Sequence, residues 1–347
     1  MTTSSYLTYV AFAVTCLALL TLPFIPAFRE WLYPTDFGAL PVSSNYTNDI
    51  DHFSRRLRAD AAAKLGVGPP TGHEEFDFVT DLPIDMDWQK AKKRLISRES
   101  INSAEAVRSL QPMFVDGSIR TGAKSAFSAL YATGDIDLGD ESEIGDWAHA
   151  DGVVHLGKHS VGLRRVSAGK AIELGTGAWF ERLQAPLLRF GSHISNARPP
   201  RATQQTPASY ADLPGAIQQS PSLYLIRGDC ALPPGKIYQG SLVVTGFLTI
   251  GAATSVTGDI KAREGASIGP RAAVKGALTC EKRIYMFADS QVRGPVISES
   301  DVLIGANAVI GLPDTQTTVS ASNIIVEDGV TVYGMLWAHE IGMVKPI

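Results

Sequence analysis

The stretch that decides the fold is LTIGAATSVTGDIKAREG, residues 248–265. Its apolar residues Ile250, Val256 and Ala262 recur every six residues, which fits neither the alternation of a half-buried strand nor the period of a helix. A coil of three short strands fits this spacing, with one inward-pointing residue on each side and a glycine easing the corner. The stretch therefore predicts one turn of a β-helix, 18 residues long.

The same pattern returns along the C-terminal part of the chain. Gly251 is followed at intervals of 18 residues by Gly269, Phe287 and Gly305. The positions on the six-residue frame are all apolar or small: Ile250, Val256, Ala262, Ile268, Val274, Cys280, Met286, Val292, Ser298, Ile304 and Ile310. Charged residues fall between them. The repeat predicts a regular β-helix over residues 222–341.

An earlier part of the chain carries the same repeat more faintly. Its marker glycines, spaced 17, 18 and 18 residues apart, are Gly122, Gly139, Gly157 and Gly175. They predict an irregular β-helical block over residues 110–190. The Pro-, Ser- and Gln-rich residues 191–221 are typical of a linker or loop. The sequence leaves open whether the two blocks stack into one solenoid.

The N-terminus predicts a membrane anchor within residues 1–28. Residues 6–28 carry no charge, and about 20 apolar residues span the hydrocarbon core of a bilayer. No basic residue precedes the run and no A-x-A site follows it, which disfavours a cleaved signal peptide. The first flanking basic residue is Arg29, and the positive-inside rule then favours a cytoplasmic position for the rest of the chain.

Residues 29–109 predict a small, mixed, α-containing region next to the membrane. Apolar residues at helical spacing indicate a helix over residues 48–66, with Gly66 as its stop. A second, charged helix is expected over residues 87–100.

Composition excludes several classes of function. The net charge of −4 and the pI near 6.0 argue against a nucleic-acid-binding protein. The three cysteines, Cys16, Cys230 and Cys280, are far apart and form no metal-binding motif. No phosphate-binding glycine motif is present. We therefore expect no cofactor and no metal.

Two groups of residues suggest chemistry, and each has a plainer interpretation. His149, His155 and His159 fall on adjacent coils, but no carboxylate or cysteine pattern completes a metal site, so surface histidines are favoured. Ser167 and Lys170 match the S-x-x-K pattern of a serine nucleophile and its lysine base. That pair belongs on a helix in a deep cleft, whereas the repeat places it on a coil corner. We predict no catalytic residues.

Residues 240–276, GSLVVTGFLTIGAATSVTGDIKAREGASIGPRAAVKG, resemble the bactofilins, a family of polymer-forming bacterial cytoskeletal proteins. The resemblance is good over residues 238–338 and loose over residues 115–190. It implies a right-handed β-helix that polymerises without nucleotide at the inner face of the cytoplasmic membrane. The chain departs from the family in its transmembrane anchor, its earlier β-helical block and its long membrane-proximal region.

The sequence therefore predicts a membrane-anchored, bactofilin-like structural scaffold that self-associates through its β-helix and is not an enzyme. Its expected partners are copies of itself, the bilayer of the bacterial inner membrane through residues 6–28, and envelope or polysaccharide biosynthesis proteins. The alternatives are a left-handed hexapeptide acyltransferase or another surface-polysaccharide enzyme, and a periplasmic binding module. An acyltransferase needs a general base, normally histidine, and residues 238–338 contain none.

The last coil supplies a candidate self-assembly contact. The end coils of a β-helix keep open backbone edges, which proteins normally cover with a helix or with charges. Here the terminal coil is apolar and carries Val332, Leu336 and Trp337. These three residues are predicted to form an end-to-end contact between copies of the chain.

Overall fold

The computed structural model describes residues 3–32, 49–72, 75–81, 88–191 and 205–345. The chain divides into two compact units, residues 1–49 and residues 50–347. The second unit contains all of the described strands.

Residues 3–32 of the first unit are helical. Helix α1 (Thr3–Thr21) is followed by a 3-10 turn (Leu22–Phe24) and by helix α2 (Ile25–Leu32). Pro23 has no backbone N–H to donate, so the hydrogen-bond ladder changes there and the uncharged run is not one continuous helix. Among the described residues, no helix has both the length and the apolar character needed to cross a membrane. The predicted transmembrane helix over residues 6–28 is thus not supported.

The second unit is a β-solenoid of about 14 turns, which confirms the predicted all-β solenoid. The strands of the first block are β1 (Phe76–Phe78), β2 (Arg94–Ser97), β3 (Ile101–Asn102), β4 (Arg108–Ser109), β5 (Met113–Val115), β6 (Ile119–Thr121), β7 (Ala126–Ala132), β8 (Ile136–Leu138), β9 (Glu143–Ala150), β10 (Val153–Leu156), β11 (Val161–Ala168), β12 (Ala171–Leu174) and β13 (Trp179–Phe190).

The second block follows from residue 206. Its strands are β14 (Thr206–Ala208), β15 (Ala216–Ser220), β16 (Leu223–Ile226), β17 (Cys230–Leu232), β18 (Lys236–Tyr238), β19 (Ser241–Val244), β20 (Leu248–Ile250), β21 (Ser255–Val256), β22 (Ile260–Ala262), β23 (Ala266–Ile268), β24 (Ala273–Val274), β25 (Leu278–Cys280), β26 (Ile284–Met286), β27 (Gln291–Val292), β28 (Val296–Ser298), β29 (Asp301–Ile304), β30 (Val309–Ile310), β31 (Thr317–Val326) and β32 (Thr331–Val344).

The six-residue frame marks the core of the second block. Every frame position from Ile250 to Ile310 is buried, and the most exposed of them, Ser298, is only 5% exposed. The strands β20 to β27, which carry most of the frame, each pair in parallel with the strand one coil later, as Val256 does with Val274. The predicted inward direction of these residues is therefore confirmed.

Both blocks turn the same corner. A Cβ on Gly251 would lie 2.5 Å from the backbone nitrogen of Pro234 in the preceding coil, so this close approach requires glycine. Two residues later Ala253 has a φ of 54°, in the left-handed region, and the first block repeats this step at Gly157 and His159, whose φ is 53°. The marker glycines of the two blocks therefore occupy one structural position.

The predicted helix over residues 48–66 is present as α3 (His52–Lys64). Leu57 and Ala61 of this helix pack on outward-facing side chains of the first block, Ile96, Phe114 and Tyr131. The helix therefore covers one face of the solenoid.

The predicted helix over residues 87–100 is wrong. The segment forms a 3-10 turn (Trp88–Lys90) and strand β2. Leu95 and Ile96 are both fully buried, Leu95 in the solenoid core and Ile96 beneath α3. Adjacent residues reach opposite faces in a strand but not in a helix, and parallel pairing with β5 holds the strand.

The segment predicted as a linker, residues 191–221, is partly ordered into the solenoid. β14 pairs with β18, a 3-10 turn spans Tyr210–Asp212, and β15 forms a hairpin with β16. Residues 192–204 lie outside the described part of the chain.

Candidate functional site

The predicted self-assembly residues lie inside the chain's own structure. Val332 and Leu336 are completely buried, and Trp337 is 39% exposed. Their strand, β32, pairs antiparallel with β13, the last strand of the first block. We call this contact between β13 and β32 the joint.

The joint closes the terminal coils of both blocks on all three sides. On one side Leu183 faces Leu336. The other paired positions are Trp179 with Met343, Phe180 with Gly342, Arg182 with Trp337, Gln184 with Met335, Ala185 with Gly334, Leu188 with Val332, and Arg189 with Thr331. The two blocks thus form one sheet, in which their C-terminal coils meet, and the apolar end predicted for contacts between copies is covered by the first block.

Trp337 and Arg182 mark the surface of the joint. The Arg182 guanidinium carbon lies 4.8 Å from the centre of the Trp337 ring, in cation–π geometry. The indole also packs on His339, with ring centres 4.4 Å apart. The sequence predicts a contact between copies of the chain at this apolar coil. It gives no sign that the chain covers the coil with its own β13, because a partner far along the sequence leaves no local signal.

A second notable group is a polar cluster beneath α3, formed by Tyr131, His149, Asp151, Ser167 and Arg58. The Tyr131 hydroxyl donates to Asp151 at 2.6 Å, and His149 Nδ1 lies 2.7 Å from Ser167 Oγ. His149 Nε2 is 3.4 Å from Asp151, and the other Asp151 oxygen is 3.3 Å from the Arg58 guanidinium. The cluster joins α3 to strands β7, β9 and β11.

Burial in this cluster favours the uncharged forms of His149 and Tyr131. Burial lowers the pKa of His149, against the raising effects of Asp151 and Asp51. Burial also raises the pKa of the Tyr131 hydroxyl, and its hydrogen bond to Asp151 acts in the same direction. At neutral pH, His149 is therefore an uncharged imidazole whose two nitrogens are directed at Ser167 and Asp151.

A serine, a histidine and an aspartate in this order resemble a nucleophile, its base and the group that orients the base. Catalysis needs the nucleophile to meet a substrate, and Ser167 is only 5% exposed. The nearby surface depression, of about 360 Å³, is lined by Phe53, Trp147 and Arg165 with two further residues, and Ser167 is not among them. The geometry fits a structural role, which is to hold α3.

The three candidate histidines do not come together. His149 lies under α3, whereas His155 lies on another side of the coil, 3.7 Å from Glu173, and His159 occupies a left-handed corner. Across the ranges that the structure describes, no group of three metal-ligating side chains is found. Ser167 bonds to His149, and Lys170 is exposed on the following turn.

One other depression, of about 370 Å³, lies on the side of the first block that carries His155. Glu173 is central to it and is already paired, with Arg189 at 3.1 Å and with His155. Lys158 and Asp140 complete the charged lining. The Glu173 carboxylate is thus occupied by Arg189 and His155, and the lining carries both positive and negative side chains.

The buried cysteines are structural. Burial raises the pKa of Cys230 to about 11 and that of Cys280 to about 12, where a backbone hydrogen bond with Ala262 opposes the rise. The reactive form of cysteine is the thiolate. Both thiols are therefore protonated and inert near neutral pH.

Comparison of the chain with protein-family models, with curated proteins and with solved structures found no match.

Proposed function

We propose that the chain is a bactofilin-like structural scaffold, which associates with copies of itself without a nucleotide and organises partners at the bacterial cell envelope. The observation that carries this proposal is the continuous sheet that runs through both blocks and across the joint. Strands stacked coil on coil present repeated outer faces at a regular spacing of about 4.8 Å, which suits a scaffold.

The side-chain arrangement supports the same proposal. The serine–histidine–aspartate group of the first block is covered, and Glu173 in the charged depression is paired with Arg189. The outer faces instead carry ion pairs between coils, such as Arg263 with Glu281 at 3.2 Å. Such exposed pairs contribute only about 0–1 kcal/mol each to stability.

Attachment to the bacterial inner membrane through residues 6–28 is part of the proposal. Its support is the uncharged sequence and the exposed apolar side chains of the first unit, among them Leu17, Leu20 and Phe24, which are 64%, 68% and 67% exposed. The free energy of such exposed apolar side chains falls when they move from water into an apolar environment. Carbonate extraction of membranes tests this attachment. The chain should stay in the membrane pellet, and its release into the supernatant would contradict the proposed anchor.

The experiment that tests the function is sedimentation of the full chain in a mild detergent, over a range of concentrations, with and without ATP or GTP. The proposal predicts oligomers that grow with concentration and do not respond to nucleotide. A chain that stays monomeric, or that assembles only with nucleotide, contradicts it. Saturable binding of coenzyme A in the same samples would favour the acyltransferase alternative.

A further inference from the structure

The two outer ends of the solenoid differ in how they are protected. The first block begins with β1, whose Asp77 lies 3.9 Å from the Lys93 ammonium. Next to it the Arg98 guanidinium lies 4.4 Å from the centre of the Phe78 ring, and Lys64 of α3 approaches the same ring. Charged side chains and a covering helix are the devices that prevent a sheet edge from pairing with another chain.

The second block starts with β14, which is followed by a different arrangement that we call the head end: the 3-10 turn Tyr210–Asp212 and the hairpin β15–β16. Tyr210 is 1% exposed and stacks on Tyr238, with ring centres 4.9 Å apart, so it closes the core. The core at this end is sealed by an aromatic ring, but no described residue pairs with the outer side of the backbone edge beside it.

Strand β15 forms one part of that edge, beside β14 and β17. Within the described part of the chain it pairs only with β16, so its other side presents unpaired backbone groups. Its sequence, AIQQS, contains no charge and no proline. Ile217 is 42% exposed, and the three residues after it are exposed as well. An uncharged, exposed edge strand of this kind is a ready template for another strand.

A second copy of this chain is the occupant that fits the edge. The chain already closes its other terminal coils by antiparallel pairing, at the joint. An uncharged strand is also compatible with itself across a two-fold axis, because no like charges are brought together. We propose that β15 pairs antiparallel with β15 of a second copy, in a register centred on Gln218. This inference rests on the proposed scaffold function and names its contact.

The geometry of this contact determines the size of the assembly that it forms. Antiparallel pairing about Gln218 places Ile217 opposite Gln219 of the second copy, and the two Ile217 side chains become diagonal neighbours about 7–8 Å apart. Each chain has one head end, because the C-terminal coils of both blocks are used in its own joint. The contact by itself therefore forms a dimer, and longer assemblies require a further contact elsewhere.

The test is sedimentation equilibrium of the full chain in mild detergent, comparing the parent with Ile217→Lys. Two lysines brought together at the two-fold axis repel, so the dissociation constant of the dimer should rise roughly tenfold or more. The matched control is Ile297→Lys, because Ile297 has nearly the same exposure, 40%, but lies in the middle of the second block. This control should dimerise as the parent does.

A charge swap makes the test specific. Mixing Ile217→Lys with Ile217→Glu should restore dimers, now between unlike chains, because opposite charges meet at the axis. Gln219→Lys is the second variant, in case Ile217→Lys alters the hairpin, and circular dichroism verifies that each variant is folded.

The outcomes separate this inference from the function on which it rests. Loss of the dimer in Ile217→Lys with recovery in the mixture supports the β15 contact. If both lysine variants at the edge dimerise as the parent does, the contact lies elsewhere and the scaffold function stands. If the parent itself is monomeric at every concentration, both proposals fail.

Discussion

The two blocks share one corner and one core but differ in what their equivalent faces carry. On one face of the first block, outward positions on successive coils hold Ile96, Phe114, Tyr131 and His149, and the helix α3 covers them. In the second block the matching face holds a ladder of mixed character at its outward positions: Val243, Lys261, Thr279, Ile297 and Ser320.

The difference between the two blocks separates the role of the inward positions of the repeat from that of the outward positions. The inward positions and the glycine corner produce the coil in both blocks, whereas the outward positions decide whether a coil needs a cover. An apolar aromatic ladder, in which Phe114 and Tyr131 stack with ring centres 5.2 Å apart, gains stability from a covering helix. A ladder with lysine, threonine and serine stays in contact with water.

The largest expected effect comes from breaking the core that both blocks share. Val274→Asp places a charge at a fully buried inward position, which costs several kcal/mol, and the second block should fail to fold. Lys275→Asp is the matched control, because this neighbouring side chain is exposed and its replacement should change stability by less than about 0.5 kcal/mol. Circular dichroism during urea unfolding measures both. Equal losses in the two variants would contradict the six-residue frame.

A smaller effect sharpens the role of the covered face. Arg94 donates to Asp60 of α3 at 2.6 Å, and the Asp60 side chain is 2% exposed. Arg94→Met would leave this carboxylate buried without its charged partner, and breaking a buried pair in this way costs about 3 kcal/mol. Limited proteolysis should then cut within α3 while the strands stay protected.

The control for this prediction is Lys93→Met. Lys93 pairs with Asp77 at 3.9 Å, and its side chain is 52% exposed, so its loss should cost about 0–1 kcal/mol. If α3 in Arg94→Met resists proteolysis as well as it does in the control, the buried ion pair does not hold the helix.

The smallest effect is a pH dependence confined to the first block. Because burial lowers the pKa of His149, the unfolded chain binds a proton at this site more readily than the folded chain does. Stability should therefore fall as pH drops below the unfolded value of about 6.5. His149 faces Asp151, Asp51 and Arg58, and the two carboxylates limit the size of the loss.

Thermal unfolding of the parent and of His149→Gln, at several pH values between about 5 and 8, measures this dependence. The difference in stability between the two proteins should shrink as the pH falls. A constant difference across the range would mean that His149 does not titrate between the folded and unfolded states.

Much of the fold could be predicted from the sequence, because each coil of a solenoid repeats the same local sequence pattern. Val256 and Val274 face inward and Gly251 turns the corner for reasons that lie within a few residues of each. The segment 87–100 was harder. Its charges suggest a helix, whereas parallel pairing with β5 and the cover of α3 stabilise the strand β2 instead.

The candidate contact illustrates a different difficulty. The sequence predicts that Val332 and Leu336 contact a second copy of the chain, whereas the structure pairs their strand with β13, which lies about 150 residues earlier in the same chain. Period and composition describe each block separately and contain no information on how two blocks meet. The uncharged β15 edge was hidden for a related reason, since its segment is typical of a loop.

The joint is the central claim, and a cysteine cross-link tests it most directly. Gln184 and Met335 are paired across the joint, so their Cα atoms lie within disulfide range. Cys16 would be replaced by serine, and the buried Cys230 and Cys280, whose pKa values are raised to about 11 and about 12, would not interfere.

The control pairs Gln184→Cys with Thr318→Cys. Thr318 is the neighbour of Met335 on the next coil, so it lies two strands from Gln184, about 9–10 Å away and beyond disulfide reach. Under mild oxidation at low protein concentration, Gln184→Cys/Met335→Cys should form a link within one chain, visible as a faster-migrating monomer, and the control should not. A folded protein in which the first pair stays unlinked, or links only between chains, would contradict the joint.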